Sequence, residues 1–234
     1  MAKSVRSCIV LIVVVVVVVE LSLDEAVGII RGEEHPLSYE LLLDNSVMPD
    51  WLDGYGSQGR AELNVSYNAE GRHTAITHNG IFLCQSQTQG RPQVAISLSS
   101  SSPSGKWPLL TLLMVDPDAP TPENHTRRSL VHWMVTNIPS SPPLHQQEIW
   151  ERGCEVFPYH GPKIQSGLHR YYFLLFQQED RIHVPFPKDN TDRAPFSIRN
   201  FTKAYNLGYP IAGVLFLVKV NGSCSLLSTR VSSH

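Results

Sequence analysis

At 234 residues the chain is long enough for one sizeable domain, or at most two small ones. It is 42% hydrophobic and 17% charged with a formal net charge of -2, the composition of a globular protein. No basic excess marks a nucleic-acid footprint and no acidic tail is visible, which makes polynucleotide binding a poor first reading.

The N-terminus is the most biased stretch. Lys3 and Arg6 precede the apolar run CIVLIVVVVVVV (8–19), and Glu20 stops it. A basic start and an apolar run of this length favour a cleaved signal peptide over a retained anchor, since the run is short for a spanning helix. Ala26 and Gly28 offer small residues at cleavage spacing, so residues 1–28 are assigned to the signal and export is the expected localisation. The lumen of the secretory pathway or the lysosome is the alternative. Residues 29–60, with Gly54, Gly56 and Gly59, are expected to be a loosely structured leader.

From Ala61 the pattern turns strand-like. ELNVSY alternates, Asn79-Gly80 is a hairpin-type turn, and PQVAISL is a short alternating run. SLSSSSPSGKWP (97–108) is a Ser-rich loop. LLTLLMV (109–115) is apolar on both faces, as in a central strand covered on both sides. In SLVHWMVTNI (129–138), strict alternation puts His132, Met134 and Thr136 on one face and Val131, Trp133 and Val135 on the other. Residues 153–168 read as a long loop and HRYYFLLFQQ (169–178) as a strong strand. FSIRNFTKAYNL is helical, with Ile198, Phe201 and Tyr205 at helical spacing and Gly208 as its stop. GVLFLVKV (213–220) is the last strand, and 226–234 is a tail. The chain is therefore expected to be mainly β, with its domain at 61–225 and a few peripheral helices, one near the C-terminus.

Four sequons, at Asn64, Asn124, Asn200 and Asn221, agree with export as candidate glycosylation sites. Beyond the signal, Cys84, Cys154 and Cys224 remain; an odd count in an oxidising compartment suggests one disulfide and one other thiol, with the pairing open.

Chemistry-bearing residues recur at strand ends. Asp116 and Asp118 sit just past one strand between stiffening prolines (Pro117, Pro120), His132 lies near the start of another, and His169 opens a third. Each has an ordinary explanation: an Asp-Pro-Asp turn is most often an Asx turn, and a histidine in an apolar strand is most often a satisfied core residue. If the strand ends are neighbours, two carboxylates and two imidazoles meet at one rim.

VDPDAP (115–120), HWMVTNIP (132–139) and SGLHRY (166–171), in that order, resemble the signatures of the phosphatidylethanolamine-binding protein family. GRPQVAISL (90–98) and RAPFSIRNFTKAYNLGYPIAG (193–213) resemble its flanking segments, so the likeness spans about residues 80–218. The signal-like start suggests the secreted branch. The resemblance implies a large antiparallel sheet packed on a smaller one, with an anion pocket at the sheet edge for phospholipid head groups or small phosphate-like anions. It implies no catalysis and no cofactor. Its members include proteins that restrain proteases or kinase pathways by binding, so an inhibitor or signalling modulator with a protein target is the expectation.

Carried over by position, the pocket residues are Asp116, Asp118, Pro120, His132, His169 and Tyr171. The carboxylates would orient and charge the imidazoles, and the charged imidazoles would donate to the anion. Three positions depart from the family pattern: Lys163 adds a cation at the pocket mouth, Leu130 thins a wall, and Phe216 removes a hydroxyl. The competing function is a metal-dependent phosphodiester hydrolase with Asp116, Asp118, His132 and His169 as ligands. No HExxH pair and no G-x-S-x-G elbow occurs to support hydrolysis.

Overall fold

The computed structural model describes residues 61–219, apart from 70, 78, 99–106, 125, 141–148 and 190–192. The expected signal, leader, tail, Asn221 and Cys224 lie outside the described residues. Among the described residues, no helix is long and apolar enough to cross a membrane.

Among the described residues, nine strands form two sheets. The smaller has three strands in the order β2(Arg72–Ala75), β1(Ala61–Ala69), β4(Gln93–Leu98). The larger has six, ordered β3(Ile81–Leu83), β9(Ala212–Lys219), β8(Leu168–Gln178), β5(Leu109–Asp116), β6(Leu130–Pro139), β7(Cys154–Phe157). All its pairs are antiparallel except β3 with β9, which is parallel, so the sheet is mixed at one edge. Two short helices, α1(Ile149–Arg152) and α2(Ile198–Ala204), and a 3₁₀ turn over Gln85–Thr88 complete the described elements.

The central strands explain why both sheet faces are apolar. On β5, Leu110, Leu112 and Met114 enter a core shared with Leu63, Val65, Tyr67 and Ile96 of the small sheet. Leu113 and Val115 enter a second core with Ile198 and Phe201 of α2. β8 alternates in the same way, Tyr171, Phe173 and Leu175 to the first core and Tyr172, Leu174 and Phe176 to the second. A strand covered on both faces carries a continuous hydrophobic run.

Three local expectations are corrected. Asn79-Gly80 does not close a hairpin: β2 pairs with β1 in the small sheet and β3 with β9 in the large one. The turn instead docks on β9, where Asn79 Oδ1 accepts from Leu215 N–H at 2.8 Å and Gly80 N–H donates to Leu215 C=O at 2.9 Å. Within 153–168, Cys154–Phe157 is an edge strand, because Val156 and Phe157 bury against the second core while β6 supplies backbone partners. α2 is shorter than the periodic pattern, starting at Ile198 with Ser197 as N-cap, whose hydroxyl accepts from Asn200 N–H at 3.2 Å.

Candidate anion pocket

β5 ends in the Asp turn. Asp116 Oδ1 accepts from Asp118 N–H at 2.7 Å, the Asx turn that turn chemistry alone predicts. Its other oxygen lies 2.7 Å from His169 Nδ1, with the two side chains 3% and 2% exposed. β8 delivers His169 there because it pairs with β5 up to Val115↔Tyr172. Burial disfavours charge on His169, but the Asp116 hydrogen bond and charge, with smaller help from Asp118 and the Ser166 carbonyl, outweigh it and raise its pKa above the usual 6.5. Its Nε2 meets the Ser166 carbonyl at 3.2 Å, so both ring nitrogens face acceptors, as an imidazolium requires.

Asp118 does more than the expected imidazole tuning. Arg170 grips it with Nε to Oδ2 at 2.9 Å and an Nη to Oδ1 at 2.7 Å, and the Arg170 backbone N–H adds a third bond at 2.9 Å. This bidentate pair neutralises the carboxylate behind the pocket wall, and Asp118 is not among the residues lining the cavity.

His132 departs further. β6 carries an extra residue where Met114↔Trp133 is followed by Val115↔Val131, and His132 is that residue. The bulge breaks the alternation: Val131 packs in the second core, whereas Trp133 and Val135 pack in the first. His132 Nδ1 donates to the His160 carbonyl at 2.7 Å. Burial lowers its pKa, and the Arg193 and His160 charges add to that effect against the opposing pull of Asp116 and the His160 carbonyl. The two histidines therefore divide: His169 tends to be charged and His132 neutral.

Tyr171 lies between them. The His132 ring meets it edge-on at 5.1 Å, the His169 ring stacks at 6.4 Å, and Phe216 stacks on it at 5.1 Å. Burial and the nearby Asp116 push the Tyr171 pKa far up, so the hydroxyl stays protonated.

These groups border a cavity of about 560 Å³. Of the positions carried over from sequence, Asp116, Pro120, His132, Lys163, His169 and Tyr171 line it. Lys163 is exposed at its mouth, and Leu130 is a wall residue. Sequence reasoning missed Arg127, Tyr159, His160 and Arg193, which also line it. Arg193 is 4% exposed and holds the wall together, its guanidinium donating to the Val131, His132 and Pro158 carbonyls at 3.1, 3.3 and 2.9 Å. Nothing in RAPF (193–196) marks this arginine, since its partners are backbone oxygens remote in sequence. Gly161 has a clearer cause: a Cβ there would lie 2.6 Å from the Thr88 carbonyl, so only glycine lets the wall loop seat against the 3₁₀ turn.

The four residues of the hydrolase alternative do not form a ligand set, because Arg170 occupies Asp118; among the described residues no group of three or more His, Cys, Asp and Glu is placed to hold a metal. Asn64, Asn124 and Asn200 are all exposed.

The family model of the phosphatidylethanolamine-binding protein matches residues 72–216. FLOWERING LOCUS T of Arabidopsis thaliana is 34% identical over 185 residues, covering 78% of this chain and 93% of that protein. CENTRORADIALIS of Antirrhinum majus is 31% identical over 182 residues, covering 77% and 92%. Among solved structures, a phosphatidylethanolamine-binding protein from Plasmodium vivax superposes with a TM-score of 0.63 at 22% identity, over 80% of this chain and 99% of that one. Carboxypeptidase Y inhibitor, complexed with its cognate proteinase, gives 0.60 at 19% identity, over 77% and 94%. The profile match over most of the described strands, together with these relatives and the shared fold, establishes that the chain belongs to the phosphatidylethanolamine-binding protein family.

Proposed function

We propose that this protein is a non-enzymatic binder of small phosphate-like anions, phospholipid head groups included, acting in the secretory pathway or outside the cell as an inhibitor or signalling modulator. One observation carries the ligand class: Arg127, Lys163 and Arg193 line the cavity, Asp116 is the only carboxylate in that lining, and it is bonded to His169. Cations in a concave wall of low dielectric focus positive potential on a bound anion. A protein target is the partner we assign to the inhibitor role, which the carboxypeptidase Y inhibitor, at 19% identity, illustrates for this fold.

The basic-apolar start, the three exposed sequon asparagines and a disulfide at Cys84 support export. The ligand test is calorimetric titration of the secreted protein with phosphoethanolamine. Saturable binding that is lost in His132→Ala, with the native circular dichroism spectrum retained at the assay temperature, is expected; the same affinity in that variant contradicts the assignment. The export test is a glycosidase-sensitive mass shift of protein recovered from culture medium, and retention of unglycosylated protein inside the cell contradicts it.

A further inference from the structure

The anion reading leaves one buried polar atom of the pocket unused. His132 is 5% exposed, and its Nε2 has no hydrogen-bond partner among the described residues. The ring's other nitrogen lies 2.7 Å from the His160 carbonyl, which only accepts, so Nδ1 carries a proton, and in the neutral ring Nε2 is a lone pair. A buried acceptor with nothing to accept costs free energy until something supplies a donor.

The groups around it do not supply one. On β5, Asp116 is already bonded to His169 and to the Asp118 backbone. On β8, His169 is spent on Asp116 and Ser166, and the Tyr171 hydroxyl does not bond Nε2. Arg193 donates to backbone carbonyls, while Lys163 and the His160 ring are exposed at the wall. Burial, reinforced by Arg193 and His160, also opposes placing a proton on this ring, so the lone pair persists.

We propose that His132 makes the cavity selective for an anion that brings its own hydrogen-bond donor, the hydrogen-phosphate group of a small phosphomonoester, over sulfate and over phosphodiesters. The inference rests on the anion reading and narrows it. A phosphomonoester whose second pKa lies near about 6 retains a P–OH under mildly acidic conditions. That hydroxyl donates to Nε2 while the remaining oxygens face the cations of the wall. Sulfate and a diester have no such hydrogen, so each binds only if the buried ring first takes up a proton. A phosphodiester lipid meets the same requirement only by turning a head-group ammonium toward Nε2.

The test is calorimetric titration at about pH 5.5, below the second phosphate pKa, with inorganic phosphate, methyl phosphate, sulfate and dimethyl phosphate, in two buffers of different ionisation enthalpy. Phosphate and methyl phosphate are expected to bind about tenfold to a hundredfold more tightly than the other two, the usual penalty for one buried unpaired acceptor. Their binding should take up almost no proton, whereas sulfate binding should take up about one and weaken about tenfold per pH unit. In His132→Gln the side-chain amide offers a donor, and the phosphate-to-sulfate ratio should fall to within about threefold. Phosphatidylcholine vesicles with and without phosphatidic acid separate a membrane-borne phosphomonoester from a free one. Equal wild-type affinities for all four anions overturn the selectivity and leave the anion reading standing. No binding of any of them overturns both. If His132→Gln fails to fold, the wild-type ratio and proton count still decide.

Discussion

Two histidines at one rim have opposite tendencies, and the cause lies one bond away from each. His169 touches a carboxylate and is pushed toward its charged form; His132 touches a carbonyl in a dry setting and is pushed toward its neutral form. The raised His169 pKa contributes stability that is fully present below about pH 6.5 and is lost as pH rises through its folded pKa. The lowered His132 pKa acts the other way, contributing stability above about pH 6.5 that is lost as pH falls through its folded pKa. Asp116→Asn should therefore lower the His169 pKa, read directly from imidazole NMR shifts across a pH titration; an unchanged midpoint would show that Asp116 is not the cause. Arg170→Met should leave Asp118, 6% exposed in its side chain, as an uncompensated buried carboxylate. The expected loss is about 3 kcal/mol in urea unfolding, with part of it recovered by adding Asp118→Asn.

At the scale of elements, packing converts sequence pattern into pocket geometry. Gly161→Ala should push the wall loop off the 3₁₀ turn, since the new Cβ would meet the Thr88 carbonyl at 2.6 Å and Gln89 Cα at 2.8 Å. A loss of about 1–3 kcal/mol is expected, together with weaker anion binding, measured by thermal denaturation and titration on the same sample. Ser197→Ala removes the α2 cap and should cost about 1 kcal/mol without touching affinity, because α2 packs on the opposite face of the sheet from the small sheet. The strands were legible where periodicity is simple: β5 from its apolar run and β8 from HRYYFLLFQQ. Bulges were not. An extra residue at His132, and a second register shift where Asn137 adopts φ 57° and bonds Gln178, leave no mark in a pattern of period two.

Across the whole molecule, the site exists because three strand ends of one sheet meet at a rim that a loop and a buried arginine close. The Asp turn, both histidines and Tyr171 were legible as a cluster because motif order ties them to neighbouring strands. Arg170 and Arg193 were not, because a guanidinium's partner is set by tertiary contact rather than by spacing. Cys154 is a free thiol, and the export proposed above carries a further expectation, that Cys84 is crosslinked in the oxidised protein. Alkylation without reductant should label Cys154 and spare Cys84, and reduction should lower the melting temperature, as loss of a native crosslink worth about 2–4 kcal/mol does. Labelling of both cysteines before reduction would contradict the oxidised state. The central claim is that the anion occupies the cavity that His132 and His169 both line, and the most direct measurement is imidazole nitrogen NMR of the full chain during phosphoethanolamine titration. The account predicts saturable shifts of both His132 and His169 along one binding curve; saturable binding that leaves both rings unmoved would place the ligand elsewhere and contradict it.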